Sequence, residues 1–273
     1  MSFLIVLLIL FMLWCFLTWP RPNHPKWAVL RQYRYAHRGF HDKPAIPENS
    51  LAAFRRAVDH GFGAELDVHL TKDGRLAVIH DSDLKRVCGV SGRVEDFTSQ
   101  ELEILRLEGT SEKIPFLEQV LPLFEHKTPL VVEIKPVHGN HAELTAKTVA
   151  CLDRFSVEYC IESFDPRVLI WLRRNRPEIV RGQLSQNFFR HPSGHGFLVN
   201  LLLTALLSNG ATRPDFIAYR FEDRRCIGPR WACHILGCQE IDWTIRSAKN
   251  MKAAESEGHL VIFEKFNPKE GSW

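Results

Sequence analysis

The sequence predicts an α/β protein: a (β/α)8 barrel behind an N-terminal transmembrane helix. Two observations predict the barrel. Eight short, largely apolar stretches at 33–36, 65–70, 129–134, 159–164, 179–184, 216–219, 240–244 and 260–263 read as strands, and most of the segments between them read as helices. Strands alternating with helices eight times imply a parallel sheet closed on itself. The length of 273 residues also suits such a barrel, which takes roughly 250. A third observation predicts the membrane helix: 3–19 is an unbroken apolar run, near the short limit for crossing a bilayer core of about 30 Å.

That run ends at Pro20-Arg21-Pro22. No Lys or Arg precedes it and no small-residue cleavage site follows it, while Trp14 and Trp19 sit where interfacial aromatics belong. An uncleaved anchor therefore fits better than the alternative, a cleaved signal peptide. Arg21, Lys26, Arg31 and Arg34 all follow the run, so the positive-inside rule predicts a single-pass protein of the cell membrane with its barrel in the cytoplasm. The expected domains are an anchor (1–20), a linker (21–32) and the barrel (33–273). Seven cysteines, an odd number at irregular spacings, suit a reducing compartment. Among them Cys226, Cys233 and Cys238, with His234, match no common zinc spacing and read as buried thiols. A net charge of +3, evenly spread, excludes the basic stripe of a nucleic-acid binder. No feature of the sequence points to a protein partner.

The first strand runs into His37-Arg38-Gly39, a polar turn of the kind that carries function. Pro47-Glu48-Asn49-Ser50 then opens a helix, with Asn49 or Ser50 as N-cap and Leu51, Phe54, Ala57 and Val58 as its apolar stripe. The stretch from Glu65 to Asp81 reads as a hairpin about Asp73-Gly74. With those two as turn residues, Lys72 faces Arg75 and Asp67 faces His80, on the same face as Glu65. The polar text of 82–107 reads as an excursion outside the core, with a capped helical turn at 96–102. In the strand before Pro136, Glu133 and Lys135 share one face at the C-terminal end, where barrel enzymes keep their catalytic groups. Asp165-Pro166 reads as an N-cap followed by the first helical residue. The stretch 197–210 reads as one helix with a narrow polar stripe of Asn200, Thr204 and Ser208 and a stop at Asn209-Gly210. Such a helix suits either the outer layer of the barrel or a membrane interface beside its mouth.

Together, His37-Arg38-Gly39, Pro47-Glu48-Asn49-Ser50, Glu65-Leu66-Asp67-Val68, Thr71-Lys72-Asp73-Gly74, Val78-Ile79-His80-Asp81, Glu133-Ile134-Lys135 and Trp243-Thr244 make the chain resemble the glycerophosphodiester phosphodiesterase family, from Tyr35 almost to the C-terminus. The resemblance implies a TIM barrel of the phospholipase-C-like type. It also implies metal ligands at Glu65, Asp67 and Glu133, catalytic histidines at His37 and His80, phosphate binding by Arg38 and Lys135, and supporting roles for Glu48 and Trp243. The chain departs from the family at Ser50, where threonine is usual, and at Arg246, where asparagine is common. It departs again at Glu264-Lys265, where the family tends to have Thr-Asp.

Three carboxylates without thiolate or imidazole make a hard oxygen site, suited to Ca²⁺ or Mg²⁺. Two imidazoles could divide the proton transfers of P–O cleavage near neutral pH. The sequence leaves open which is acid and which base, and whether a neighbouring hydroxyl or water attacks. The implied substrates are glycerophosphodiesters, with lysophospholipids as the alternative that an anchor favours. A catalytically silent barrel is the third reading, against which every expected ligand and both histidines are present.

Overall fold

The computed structural model describes residues 2–192 and 194–270. Its strands are β1 (Tyr35–Ala36), β2 (Gly63–Leu70), β3 (Leu76–Val78), β4 (Leu130–Ile134), β5 (Tyr159–Ser163), β6 (Arg181–Ser185), β7 (Phe216–Arg220), β8 (Gln239–Ile245) and β9 (Leu260–Phe263). Eight of them are parallel. They run in the order β1-β9-β8-β7-β6-β5-β4-β2, and β1 pairs with both β9 and β2, so the sheet closes into the expected barrel. β1 pairs with β2 only at Gly63 and Ala64, which leaves the upper edge of β2 to the antiparallel β3.

Alternation along each strand separates two cores. Leu66 and Val68 of β2, Val132 and Ile134 of β4 and Ile161 of β5 pack outward against Phe54, Leu121, Val149 and Leu169 of the surrounding helices. Tyr35, Val131, Cys160, Phe216, Ile241 and Ile262 fill the interior. Ser50 caps the helix Leu51–Asp59 by accepting from the Ala53 amide, and Asp165 caps Pro166–Asn175, with Pro166 as its first residue. The excursion holds a core of its own around Ile79, Leu84, Val94 and Phe116. Its helical turn is closed by a capping box between Thr98 and Glu101.

Four expectations require correction. The hairpin pairs Leu70 with Leu76 and Val68 with Val78, so three residues, Lys72, Asp73 and Gly74, form the loop. Gly74 alone takes a left-handed φ of +81°, the three-residue geometry in which a turn is followed by one αL residue. Asp73 instead accepts from Thr71 Oγ1 and from the Ser99 amide. The register moves by one, and the Asp67 carbonyl accepts from Ile79, not from His80.

The stretch 197–210 breaks into helices Phe197–Thr204 and Asn209–Thr212, with Leu206 at a φ of +57° between them. Its polar stripe points inward: Thr204 Oγ1 accepts from the Phe188 amide and Ser208 Oγ donates to Gln183 Oε1. The apolar side faces out, with Phe197 73% and Leu198 66% exposed.

The expected linker is packed. Trp27 and Leu30 are buried at the N-terminal end of the barrel, Trp27 against Phe216 (ring centroids 5.3 Å apart), and the Arg21 guanidinium holds Asp215 through two hydrogen bonds. The apolar run forms the helix Ser2–Thr18, 17 residues long, about 25 Å at the usual rise. Among the described residues, no helix is long and apolar enough to cross a membrane. The C-terminal half of this helix is docked on the barrel: Phe11 and Trp14 pack edge-on to Trp231, and Asn209 Nδ2 and Trp231 Nε1 donate to Thr18.

Candidate active site

β1 delivers its chain end into His37-Arg38-Gly39 over the C-terminal mouth of the barrel. Gly39 has a φ of +77°, and a Cβ there would lie 2.9 Å from that of Ala53, so the turn accepts only glycine without a shift. The Arg38 amide, itself at a φ of +53°, donates to Glu65 Oε2 at 2.9 Å.

Below this turn the sheet register does the assembling. Asp67, Glu133 and Glu162 are lateral neighbours across β2, β4 and β5, and Glu65 sits one layer lower beside Val131. Oxygens of Glu65, Asp67 and Glu133 approach within 4.8 Å of one another, all three side chains being buried. Lys135 Nζ lies 2.8 Å from Glu133 Oε1 and 3.2 Å from Asp67 Oδ1, and Asn49, at a φ of +54°, donates through Nδ2 to Asp67 Oδ2 at 2.8 Å.

The electrostatics are those of crowding. Burial pushes the Glu65 carboxyl well above its ordinary range, and the charges of Asp67 and Glu133 add to that. Burial also pushes Glu133 up, against the pull of Lys135. For Asp67 burial is outweighed by Lys135, His80 and Arg38, which hold it well below its ordinary range. Burial opposes charge on Lys135 too, but Glu133 and Asp67 hold its ammonium above the usual value. Asp67 Oδ1 accepts no hydrogen bond. Three oxygen donors, mutually repelling and partly unsatisfied, fit one hard divalent cation.

The histidines flank this cluster. His37 is bound at Nδ1 to Glu264 Oε2 (2.7 Å), and its Nε2 lies 4.0 Å from Glu65 Oε2. Burial pushes its pKa down to about 4 despite that hydrogen bond. His80 is bound at Nδ1 to Asp81 Oδ1 (2.5 Å), and Asp81 in turn accepts from Arg86. In both rings the carboxylate on Nδ1 leaves Nε2 as the working nitrogen. Glu48 is a hub that accepts from Arg38 (2.7 Å), Lys43 (2.7 Å) and Arg86 (2.6 Å). Burial works against its charge, but the Arg86 hydrogen bond and the Arg38 charge hold it far below its usual range. It ties the His37 turn to the Asp81 loop. Trp243 packs edge-on to Phe164, at 5.8 Å, in the wall of the mouth.

Two cavities open beside the cluster. One, of about 500 Å³, is polar and lies between His37, Arg38, His41, Glu48 and Glu264. The other, of about 840 Å³, runs from Glu133 and Lys135 past Phe164 and Phe188 to Leu202 and Leu207.

Sequence reasoning missed three site residues. Glu162 is a buried acid at the C-terminal end of an apolar strand, the same signal that exposed Glu133. Burial, with the charges of Glu133 and Asp67, pushes its pKa well up. From sequence Asn49 is only a candidate cap, whereas its side chain binds Asp67. Glu264 stood among the departures from the family pattern, and it binds both His37 and Arg246, so the two departures at 246 and 264 form one ion pair (2.7 Å).

Oriented imidazoles beside fixed positive charge, at the barrel end where catalytic groups gather, suit the hydrolysis of an anionic ester. Comparison with known proteins narrows the class. The chain belongs to the glycerophosphoryl diester phosphodiesterase family, whose model matches residues 37–193, more than half of it. It is accordingly an enzyme of the phosphoric diester hydrolase class. It is similar to a glycerophosphodiester phosphodiesterase of Bacillus altitudinis, 34% identical over 169 residues, 58% of this chain and 68% of that one. A lysophospholipase D of Rattus norvegicus is 39% identical over 106 residues, 34% of this chain and 33% of that one. Among solved structures, an Oleispira antarctica phosphodiesterase in complex with the product sn-glycerol-3-phosphate shares the fold. Its TM-score is 0.73 at 22% identity, over 89% of this chain and 96% of that one.

Proposed function

We propose that this protein hydrolyses glycerophosphodiesters to sn-glycerol 3-phosphate and an alcohol, with Glu65, Asp67 and Glu133 holding one divalent cation, Ca²⁺ or Mg²⁺. The observation that carries the reading is the convergence of three buried carboxylates under two oriented histidines. A cation bound there supplies positive charge to the non-bridging oxygens of the phosphate and to the attacking oxygen. Lys135 adds a point charge beside it, and the Arg38 guanidinium, held by Glu48 and facing Asp67, adds a second. His37 and His80, each held at Nδ1, share the two proton transfers: one from the attacking hydroxyl, one to the leaving alkoxide. Such transfers contribute about 10²–10⁴ in rate.

The test is removal of the cation. After stripping by a chelator, turnover should vanish and return with Ca²⁺ or Mg²⁺. Glu65→Gln, Asp67→Asn and Glu133→Gln should each lose it while remaining folded. Full turnover in excess chelator would overturn the reading.

A second reading, lysophospholipid hydrolysis on the same site, is supported by the apolar cavity that continues from Lys135 to Leu202 and Leu207. The flank outside that cavity also suits a lipid surface. Gly228 abuts Thr204 at the end of the helix Phe197–Thr204, and Trp231 abuts the N-terminal helix. Two exposed apolar elements thus share one side of the barrel, which supports attachment to a membrane without a span. Attachment on the cytoplasmic side is supported by the seven free cysteines, which suit a reducing compartment.

A further inference from the structure

At the opposite end of the barrel the outer face of β8 breaks the packing rule of its neighbours. Where β2 and β4 turn Leu66, Val68, Val132 and Ile134 outward, β8 turns out Glu240 and Asp242, both buried. Glu240 is only 4% exposed, and the Cys233 thiol of the preceding insertion lies against it. A buried carboxylate is costly and calls for a counter-charge. His259, just before β9, places Nε2 3.5 Å from Glu240 Oε2 and binds Asp242 Oδ2 through Nδ1 at 2.9 Å. His234, from the insertion between β7 and β8, brings its ring centroid to 5.9 Å from that of His259. One donor atom from each of His234, Glu240 and His259 lies within 4.8 Å of the others.

We propose that His234, Glu240 and His259 form a second metal site, for a divalent transition metal such as zinc, remote from the catalytic carboxylates. Zinc bonds to nitrogen and oxygen of about 2.0–2.2 Å in a tetrahedron put donor atoms a little over 3 Å apart. The Nε2 to Oε2 separation already meets this, and the exposed His234 closes on it by rotation of its side chain. Asp242 supplies the outer partner: by accepting Nδ1–H it fixes the tautomer of His259 that leaves Nε2 for the metal. Two imidazoles and a carboxylate favour a metal of this type over the hard cation of the catalytic site. The fourth position opens to a cavity of about 490 Å³ that also borders Glu257 and Arg224, Arg225 and Arg230. Arg224 is committed to the Phe221 carbonyl. The metal would staple the insertion to β8 and β9, and with it Trp231, the platform of the N-terminal helix. No common sequence pattern covers ligands at these three positions.

The experiment uses the full chain carrying Glu65→Gln and Glu133→Gln, so that the catalytic carboxylates do not compete. Stripped protein is titrated with Co²⁺ and, separately, with Zn²⁺. One equivalent of Co²⁺ should give the strong visible absorption of a four-coordinate ion, and stoichiometric Zn²⁺ should raise the melting temperature. His234→Ala, a change at an exposed side chain, should weaken binding at least tenfold and abolish both signals. Only the faint absorption of six-coordinate Co²⁺, or equal binding by His234→Ala, would overturn the site. Should that variant fail to fold, the Co²⁺ spectrum of the parent decides by itself.

Discussion

In the proposed reaction His37 depends on Glu264 for its orientation, and Glu264→Ala isolates that dependence. The carboxylate accepts from His37 Nδ1 at 2.7 Å and is held by Arg246 Nε at 2.7 Å on its other oxygen. Burial alone would favour the protonated acid, but the hydrogen bond from His37 leads the interactions that keep it far below its ordinary range. A hydrogen bond to a charged acceptor contributes about 1.5–3 kcal/mol. If all of that bears on the orientation of Nε2 in the transition state, its loss lowers kcat by about 10- to 150-fold, at about 1.4 kcal/mol per decade. KM should hold, because Glu264 touches neither Lys135 nor the cation ligands. Arg246, half-exposed, can return to water, so the melting temperature should move little. Initial rates of sn-glycerol 3-phosphate release from a water-soluble glycerophosphodiester measure both constants. A kcat within twofold of wild type, or a rise in KM at constant kcat, would refute the role of Glu264 in orienting His37.

Leu202→Glu places a charge in the wall of the apolar cavity and should lower turnover of lysophosphatidylcholine tenfold or more, as about 1.5–3 kcal/mol of apolar contact is lost, while sparing a water-soluble glycerophosphodiester. Equal losses on both substrates would remove the cavity from the lysophospholipid reading. At the hairpin, hydrogen bonds from Thr71 and Ser99 hold the Asp73 carboxyl down at about 2, below its ordinary 3.8. A folded-state value below the unfolded one stabilises the protein above about pH 4, and that stability fades as pH falls towards 2. Asp73 is exposed, so, discounted for solvent screening, Asp73→Ala should cost about 1 kcal/mol at pH 7 and about half as much at pH 3. Urea melts at the two pH values read the difference, and an equal gap at both would show that the carboxylate is not the source.

Local pattern determined much of this protein. Period-two alternation put Glu65 and Asp67 on one face and Glu133 and Lys135 on another, and the register of β2 with β4 then brought those faces together, as the strand ends suggested. The caps were legible too, Asp165 outright, Ser50 as one of two candidates and that of 96–102 as a turn without its cap residue, because a cap is a contact between residues two or three apart.

What only the tertiary structure decided lies at longer range. The hairpin loop took three residues because Asp73 found Ser99, 26 positions away, and one residue of register followed from that. Thr204 and Ser208 turned inward because the Phe188 amide and the Gln183 side chain needed partners. The apolar N-terminal helix came to lie along the protein because Trp231 and Asn209 receive its second half. Glu264 meets His37 only because β9 closes the barrel against β1, 227 residues apart in sequence. His234, Glu240 and His259 converge for the same reason: side-chain periodicity is a property of neighbours along the chain, whereas convergence is a property of strand order and closure, which no local spacing encodes.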